Sequence, residues 1–584
     1  MASLIVRAAS LFLLISPALS FAPCPLLGPA YPPFTLNTTD PVIASSMKKL
    51  TKQFDSLVKT DNGPNGPVSP NTTFSIALFS SNEGNGEDKP FFWQYHYTSP
   101  ALKKASSNAK NVTADSIYRI GGLTEVFTVW SLLLTQGDQI LSDPVTKYLP
   151  ELAKTSTIHE ANLDPVGHTR WDEITVGQLA SHMSGLARDY CSSDLTTQTG
   201  IPKAGLPPHP TFQLPCCGDK KCSNDDFIQN FASRMPVAPS GQTPSYSNMA
   251  FQILGYIIEK QNSTSFNEVV QKQILDKLKL TKTTIFAPED SSNGVIPISK
   301  EASGWSARNE GDAASKSMFS SAKDLAIAGK AILRSSLLSP AQTRRWLKPV
   351  THTSNPVNSV GAPWVIYSDN EQHYPNTSMV DVYSVLSNEG DNEGLYSSYM
   401  GLVPDFGVGY AILSADTISP ADLNAHADYM EVVLEGVMKT ALKQAAVNYG
   451  GLYSASSLDS HINVTYDSLP GLYIEQFVSN GTNFRETLAE IAGITNGTDL
   501  SIRLYPTHLS EKTDTGSRQA FRAVLQDITE LADNGTPTCV SWMDLDKYQY
   551  GGHSLDEFIF TLDSTGKAVS VEIPALEVTL DRKK

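Results

Sequence analysis

The sequence predicts a mixed α/β chain in two folded parts, an α+β part up to about residue 448 and an all-β part after it. Three observations predict this. Helical periodicity alternates with turn signals from about residue 115 to 445, and two strand-like runs lie near the end of that stretch. After Tyr449-Gly450-Gly451 the composition shifts to short β segments broken by Asn-Gly, Asp-Ser and Gly-Thr turns. With 584 residues, 40% hydrophobic and 18% charged, the chain can hold two to four domains of roughly 100–200 residues and is too apolar to stay disordered.

Residues 1–20 read as a secretory signal peptide. Arg7 supplies the charge, Leu11–Ile15 the apolar run, and Ala18 and Ser20 the small-residue exit before Phe21. A buried N-terminal helix is the rival reading. The proline-rich stretch 21–36 suits neither a helix nor a central strand and is expected to run over the surface, tied down by Cys24. A helix is predicted at Val42–Leu57, a strand at Thr73–Ser80, a turn cluster at 81–88 and a strand at Phe91–Tyr97. Ser397–Val403 and Val408–Ser414 read as strands, and Ala421–Ala446 as one long amphipathic helix. Beyond it, Asn463–Tyr466, Gly471–Val478, Leu500–Pro506, Phe521–Asp527 and Phe558–Leu562 are the clearest β segments. The predicted boundaries are thus 21–448 for the first domain and 449–584 for a C-terminal β domain of about 130 residues, an ordinary domain size.

Glycosylation sequons stand at Asn37, Asn71, Asn111, Asn262, Asn376, Asn463, Asn480, Asn496 and Asn534, a density that suits a secreted glycoprotein. The six cysteines fit an oxidising compartment. Cys191, Cys216, Cys217 and Cys222 cluster, while Cys24 and Cys539 lie near the two ends. Zinc is the rival reading of the cluster, but no histidine stands at ligand spacing, so disulfides of open connectivity are favoured. The formal net charge of −16 argues against nucleic acid as a partner, and no stretch after the leader approaches the ~18 apolar residues of a membrane span. No phosphate loop, dinucleotide fingerprint or metal-ligand spacing appears, so neither cofactor nor metal is implied. Oligomeric state is not legible.

Several segments carry a resemblance. Tyr118-Arg119-Ile120-Gly121-Gly122-Leu123-Thr124-Glu125-Val126-Phe127-Thr128 resembles the strand-to-helix turn that bears Ser-x-x-Lys in serine β-lactamases and penicillin-binding proteins. Leu141–Pro150 and Ile174–Leu186 are similar to framework segments of that family, and Tyr246-Ser247-Asn248 resembles its Tyr-x-Asn element at a helix start. Asn388-Glu389-Gly390, followed by Leu395–Ser398, looks like its Lys/His-x-Gly strand. The ordered set, over roughly residues 40–445, is closest to the class C-like branch. It implies a β-lactamase/transpeptidase-like fold: an antiparallel sheet flanked by helices, with an all-helical subdomain. The whole resembles a secreted fungal β-lactamase-like protein with an added β domain, and the fungal members imply a place in secondary metabolism.

The departures bear on function. The family's serine attacks a carbonyl, and the lysine three residues on shares its helix face and helps remove the proton. Here those positions are Gly122 and Glu125, and Asn388 stands where the third cation is expected. Other Ser-x-x-Lys matches, such as Ser45/Lys48 and Ser320/Lys323, do not open a helix after a strand in the required way. Val126, Trp130, Leu133 and Leu134 form an apolar stripe ending at Gly137, which supports a helix there.

Glu125 has a bland reading, an acid favoured at a helix start. Tyr246 has one as a buried, satisfied hydroxyl, and Asn248 as a helix cap. The sharper reading pairs Glu125 with Tyr246: a neighbouring anion disfavours phenolate, so Tyr246 serves as a proton or hydrogen-bond donor. With its cations replaced, the site suits a neutral molecule better than a carboxylate. Gly122, Asn248, Asn388, Glu389 and Gly390 would line it. The function expected is acid–base chemistry (isomerisation, cyclisation, dehydration or lactone opening) on a neutral small molecule. A catalytically silent binding protein and a residual hydrolase or acyltransferase are the alternatives.

Overall fold

The structure is a computed structural model that describes residues 22–583 except 84–88, 106–110, 154–163, 165, 191–204, 208–227, 229, 233, 308–312, 370–379, 388–393, 456–457 and 531–538. The signal peptide, the cluster Cys191/Cys216/Cys217/Cys222, the sequons Asn376 and Asn534, and Asn388-Glu389-Gly390 lie outside the described residues. Two compact units divide the chain: Thr35–Asp369 with Val380–Thr440, and the N-terminal segment to Phe34 with Ala441 onward.

The first unit is built on an eight-stranded antiparallel sheet. Its strands are β1 (Thr73–Ser80), β2 (Trp93–Tyr97), β5 (Thr351–His352), β6 (Asn358–Val360), β7 (Val365–Asp369), β8 (Val380–Ser387), β9 (Tyr396–Val403) and β10 (Val408–Ala415), in the order β2-β1-β10-β9-β8-β7-β6-β5. A separate small ladder pairs β3 (Ile117–Arg119) with β4 (Phe319–Ser321). Every residue of β1 and β10 is buried, because helices cover both faces. Alternation along β1 sends Phe74 to one face, where Phe54 of helix α1 (Pro41–Thr60) lies 5.9 Å away ring to ring. It sends Phe79 to the other face, against α6 (Ala322–Leu333), where a Cβ on Gly329 would stand 2.3 Å from the Phe79 ring.

The remaining helices of this unit form the all-helical part around one continuous core. They include α2 (Thr124–Gln136), α3 (Val176–Ala180), α4 (Asn248–Asn262) and the single turn α5 (Ala313–Lys316). The first ten residues of α2, Thr124 to Leu133, are all buried, so α2 is a central helix instead of a surface one. It ends at Gly137, as its stripe predicts. The predicted helix Ala421–Ala446 is in fact two, Asn424–Asp428 and α7 (Glu431–Tyr449), with Met430 buried at the break.

In the second unit eight antiparallel strands close on themselves. They are β11 (Gly451–Ala455), β12 (Ser460–Thr465), β13 (Leu472–Ser479), β14 (Leu500–Thr513), β15 (Gly516–Asp527), β16 (Glu557–Asp563), β17 (Ala568–Ile573) and β18 (Val578–Arg582). The ring runs β12-β11-β18-β17-β16-β15-β14-β13 and back to β12, which leaves a barrel without free edges apart from the short pendant pair at Thr482–Asn483. Burial alternates along β12 and β16, as an inward and outward alternation requires. Tyr449 at the end of α7 packs against Phe521 and Phe560, with ring centroids at 5.2 and 5.3 Å.

One nine-residue helix, α8 (Phe484–Ala492), departs from the all-β expectation for this part. Asn483 caps it, and Leu488 and Ala489 bury against the barrel core. The segment from Ala22 to Phe34 also departs from a simple surface course. Ala30 and Tyr31 enter the barrel core, and Cys24 is joined to Cys539 in a disulfide.

Candidate active site

The site is built where β3 turns into α2. Ser398 of β9 donates to the Ile120 carbonyl at 2.7 Å, and the buried Arg119 donates to the Gly304 and Ala307 carbonyls at 2.8 and 2.9 Å. These bonds fix the turn Gly121–Leu123, so that Glu125, in the first turn of α2, points into the unit. Thr124 and Thr128 tie α2 to the neighbouring segment, Thr124 Oγ1 accepting from Met318 N–H and Thr128 Oγ1 donating to the Ala314 carbonyl.

Two further segments converge on Glu125. The chain after α3 passes through His182, which has a left-handed backbone (φ 57°), to Gly185. Gly185 is required: its φ is +69°, and a Cβ would lie 2.0 Å from the Ala238 carbonyl oxygen. That close approach lays 181–189 against the segment entering α4, and the Ser245 and Asn248 amides donate to the His182 and Arg188 carbonyls. Ser247 caps α4 by accepting from Ala250 N–H. The capping role considered for Asn248 therefore belongs to its neighbour, and the Asn248 side chain turns inward. Gly255 lets α4 approach α5, where a Cβ would meet the Ala314 Cβ at 2.8 Å, and this close packing sets Ser315 beside Asn248.

The Tyr246 hydroxyl lies 3.1 Å from Glu125 Oε1 and 3.1 Å from Asn248 Oδ1. The Ser315 hydroxyl faces the same two acceptors, at 3.3 and 2.7 Å. Asn248 is fixed in orientation because its Nδ2 donates to Asp189 Oδ1 at 2.8 Å. Two hydroxyl protons thus serve two acceptors, and the short Ser315–Asn248 bond leaves the Tyr246 proton for Glu125. On the other side of Glu125, His182 Nδ1 accepts from the Ser247 amide, so the imidazole proton sits on Nε2 and faces Glu125 Oε2 at 3.4 Å. Glu125 is 1% exposed and Tyr246 38%. Tyr246 is therefore the member of the pair open to solvent, and Glu125 is buried behind it.

The bland reading of Glu125 as a helix-start acid does not account for these three partners. Gly122 lies beside them: a Cβ built on it would be 3.3 Å from the Tyr246 hydroxyl and 3.5 Å from Ser387 Cβ. Sequence reasoning singled out Gly122, Glu125, Tyr246 and Asn248, and the structure brings all four together. It missed His182, Asp189, Ser315, Arg188 and Lys316. Arg188 stacks over the Tyr246 ring at 4.8 Å and lies 3.5 Å from Asp189, and Lys316 lies 3.6 Å from Asp189. The site is therefore not stripped of cations, although both of these are turned to Asp189. Only His182 carried a signal, as the lone histidine of the framework segment Leu179–Leu186. Among the described residues, no cluster of metal-ligating side chains accompanies the site.

A family model described as Beta-lactamase matches residues 94–435, more than half of the chain. The chain belongs to the beta-lactamase family. A second model, described as Beta-lactamase-like-like, C-terminal domain, matches residues 441–584, the barrel and the end of α7. Among curated relatives, a Beta-lactamase-like protein of Arthroderma benhamiae is 27% identical over 581 residues, covering 93% of each chain. A protein named Probable hydrolase M10, of a Phoma species, is 22% identical over 93% of this chain and 90% of its own length. A solved class C beta-lactamase is 14% identical with a TM-score of 0.47, covering 68% of this chain and 97% of its own. The residues from Gly122 to Ser315 that form this site all lie within the span that matches the beta-lactamase model.

Proposed function

We infer that the cleft performs acid–base chemistry on a neutral small molecule without an acyl-enzyme, in a protein of the secretory route. One observation carries the reading. A half-exposed Tyr246 hydroxyl is hydrogen-bonded to a fully buried Glu125, while Gly122 offers no nucleophile where the family has one. Tyr246 accepts a proton from a bound molecule as its own passes to Glu125, and returns it by the same path. Lys316 and the Nε of Arg188 face Asp189, whose charge offsets theirs, and this favours a neutral ligand. The Cys24–Cys539 disulfide supports an oxidising compartment, and all seven described sequon asparagines are exposed or half-buried, as glycosylation requires. No helix among the described residues is long and apolar enough to cross a membrane.

The test incubates the mature protein with a metabolite extract of its source and follows conversion by LC–MS, with Glu125→Gln in parallel. A mass-neutral, water-loss or water-gain conversion made by the native protein and lost in Glu125→Gln supports the reading. Selective retention of one compound without conversion makes the protein a silent binder instead.

A further inference from the structure

Gly122 is a glycine for want of a side chain, not for backbone freedom. Its φ lies outside the left-handed region, so any L-residue would fit its backbone. Its substitute Cβ would meet its nearest neighbour, the Tyr246 hydroxyl, at 3.3 Å, with Ser387 Cβ and Oγ at 3.5 and 3.7 Å. What glycine supplies is therefore an opening between two hydroxyl groups that a Cβ would crowd. Ser387 ends β8, is half-buried, and its hydroxyl makes no hydrogen bond to another described residue, so it is free to turn toward that space. Two hydroxyls facing one opening are polar partners of the kind an ordered water needs.

We propose that the space beside Gly122 seats the nucleophile itself, a water held between the Tyr246 and Ser387 hydroxyls, and that the substrates are neutral esters or lactones cleaved by its direct attack. This rests on the acid–base reading of Tyr246 and Glu125 and adds to it the reaction and the substrate class. The water oxygen bonds to the carbonyl carbon. Its proton passes to the Tyr246 oxygen while the Tyr246 proton passes to Glu125. When the C–O bond to the leaving alkoxide breaks, the proton returns through Tyr246 to the alkoxide. One ester and one water give one acid and one alcohol. His182, through its Nε2 proton, holds the Glu125 carboxylate in place throughout and takes no proton. Water then stands where the family places its serine, and no covalent intermediate forms.

The experiment uses the full mature chain with p-nitrophenyl butyrate and δ-decalactone as probes, reading kcat, KM and intact-protein mass during turnover. The expected result is hydrolysis with no mass adduct. Gly122→Ala, which fills the space, should lower kcat on the order of 10²-fold with KM moved less than roughly 3-fold. Ser387→Ala should lower kcat by about 10-fold at unchanged melting temperature, a readout that survives if Gly122→Ala fails to fold. An acyl adduct on Ser387 or any other residue overturns the proposal, as do unchanged kcat values in both variants or no turnover of either probe. If neither probe is hydrolysed yet a Glu125-dependent conversion appears in the extract, the water assignment falls and the acid–base reading stands. If Glu125→Gln is fully active, both fall.

Discussion

The two units bury charge in different ways. In the barrel unit, Arg485 and Arg503 are nearly inaccessible, and their guanidinium groups are met mainly by backbone carbonyls. Arg485 donates to Ile474 at 2.7 Å, to Gly497 at 3.2 Å and to Leu500, and Arg503 donates to Pro470 at 3.3 Å beside its ion pair with Asp467. Backbone acceptors are fixed by the fold and admit one arrangement of protons. In the first unit, Glu125 is met by side chains from three separate segments, and two of its neighbours are hydroxyls that each face a second acceptor. Such a ring can exchange one proton arrangement for another at little cost, and it ends on an accessible tyrosine. On the acid–base reading, the same burial of a charged group serves structure in one place and proton movement in the other.

The largest effects should separate the two units. Tyr246→Phe keeps the ring that packs under Arg188 and removes only the hydroxyl, while Glu125 retains His182 and Ser315 stands 3.3 Å away, able to turn to it. Turnover should fall about 10²- to 10⁴-fold, and the unfolding free energy should change by less than about 1 kcal/mol. Arg485→Ala should do the reverse. Three carbonyls lose their donor, which costs about 3 kcal/mol, and activity per folded molecule stays at the native level. Denaturant unfolding alongside initial rates checks both, and a Tyr246→Phe protein that unfolds early without losing turnover would erase the distinction.

His426 sharpens the comparison from within the first unit, because it is buried without any polar partner. Both ring nitrogens lack hydrogen bonds, and the ring lies 4.7 Å from Phe74 and 6.0 Å from Phe54. Burial lowers its pKa from 6.5 to about 4, with Asp422 opposing weakly. His96, lowered to about 4 by burial as well, adds to the effect. Between pH 6.5 and 4 the unfolded chain binds protons that the folded one refuses. Stability present above pH 6.5 is therefore lost as the pH falls, by roughly 3 kcal/mol for His426 alone. Asp405, whose carboxyl burial raises to about 6, works the other way over the same range. Urea midpoints should still fall from pH 7 to pH 4.5, and His426→Phe should shrink that fall. An unchanged pH dependence in that variant would show the imidazole to be irrelevant.

Much of the frame was legible. Strand Thr73–Ser80 is found with the predicted ends, because an apolar run between polar turns has one reading. Glu125 and Tyr246 were reachable because the chain's own motif order places them at successive helix starts. Asp189, Ser315 and Arg188 were not, since each enters the site through backbone contacts between segments far apart in sequence, such as the Gly185–Ala238 approach. The helix predicted across Ala421–Ala446 contains no proline or glycine near its actual break. The break falls at Tyr429–Met430, where Met430 is buried, and nothing in the local sequence marks it. The helix α8 was hidden by the Asn-Gly turn before it, which reads as a hairpin until Phe484, Leu488 and Ala489 are seen to share a face.

The smallest predicted effect concerns the sheet that supports the cleft. Gly329 sits in mid-helix in α6, where alanine would ordinarily be the better residue by roughly 1 kcal/mol. Here a Cβ would lie 2.3 Å from Phe79 Cζ and 3.3 Å from Leu402 Cδ2, so the helix is held against β1 and β9 at a distance only glycine permits. Gly329→Ala must displace the Phe79 ring or lift the helix, and overpacking of this kind costs about 1–3 kcal/mol, which outweighs the gain in helix propensity. The net loss should be about 1 kcal/mol, with turnover unchanged because Ser398, the β9 residue that holds the catalytic turn, lies away from the contact. A second substitution, Phe79→Leu, should recover part of the loss by vacating the ring's edge. Recovery in the double variant would locate the strain at this one contact, and additive losses would place it elsewhere in the helix.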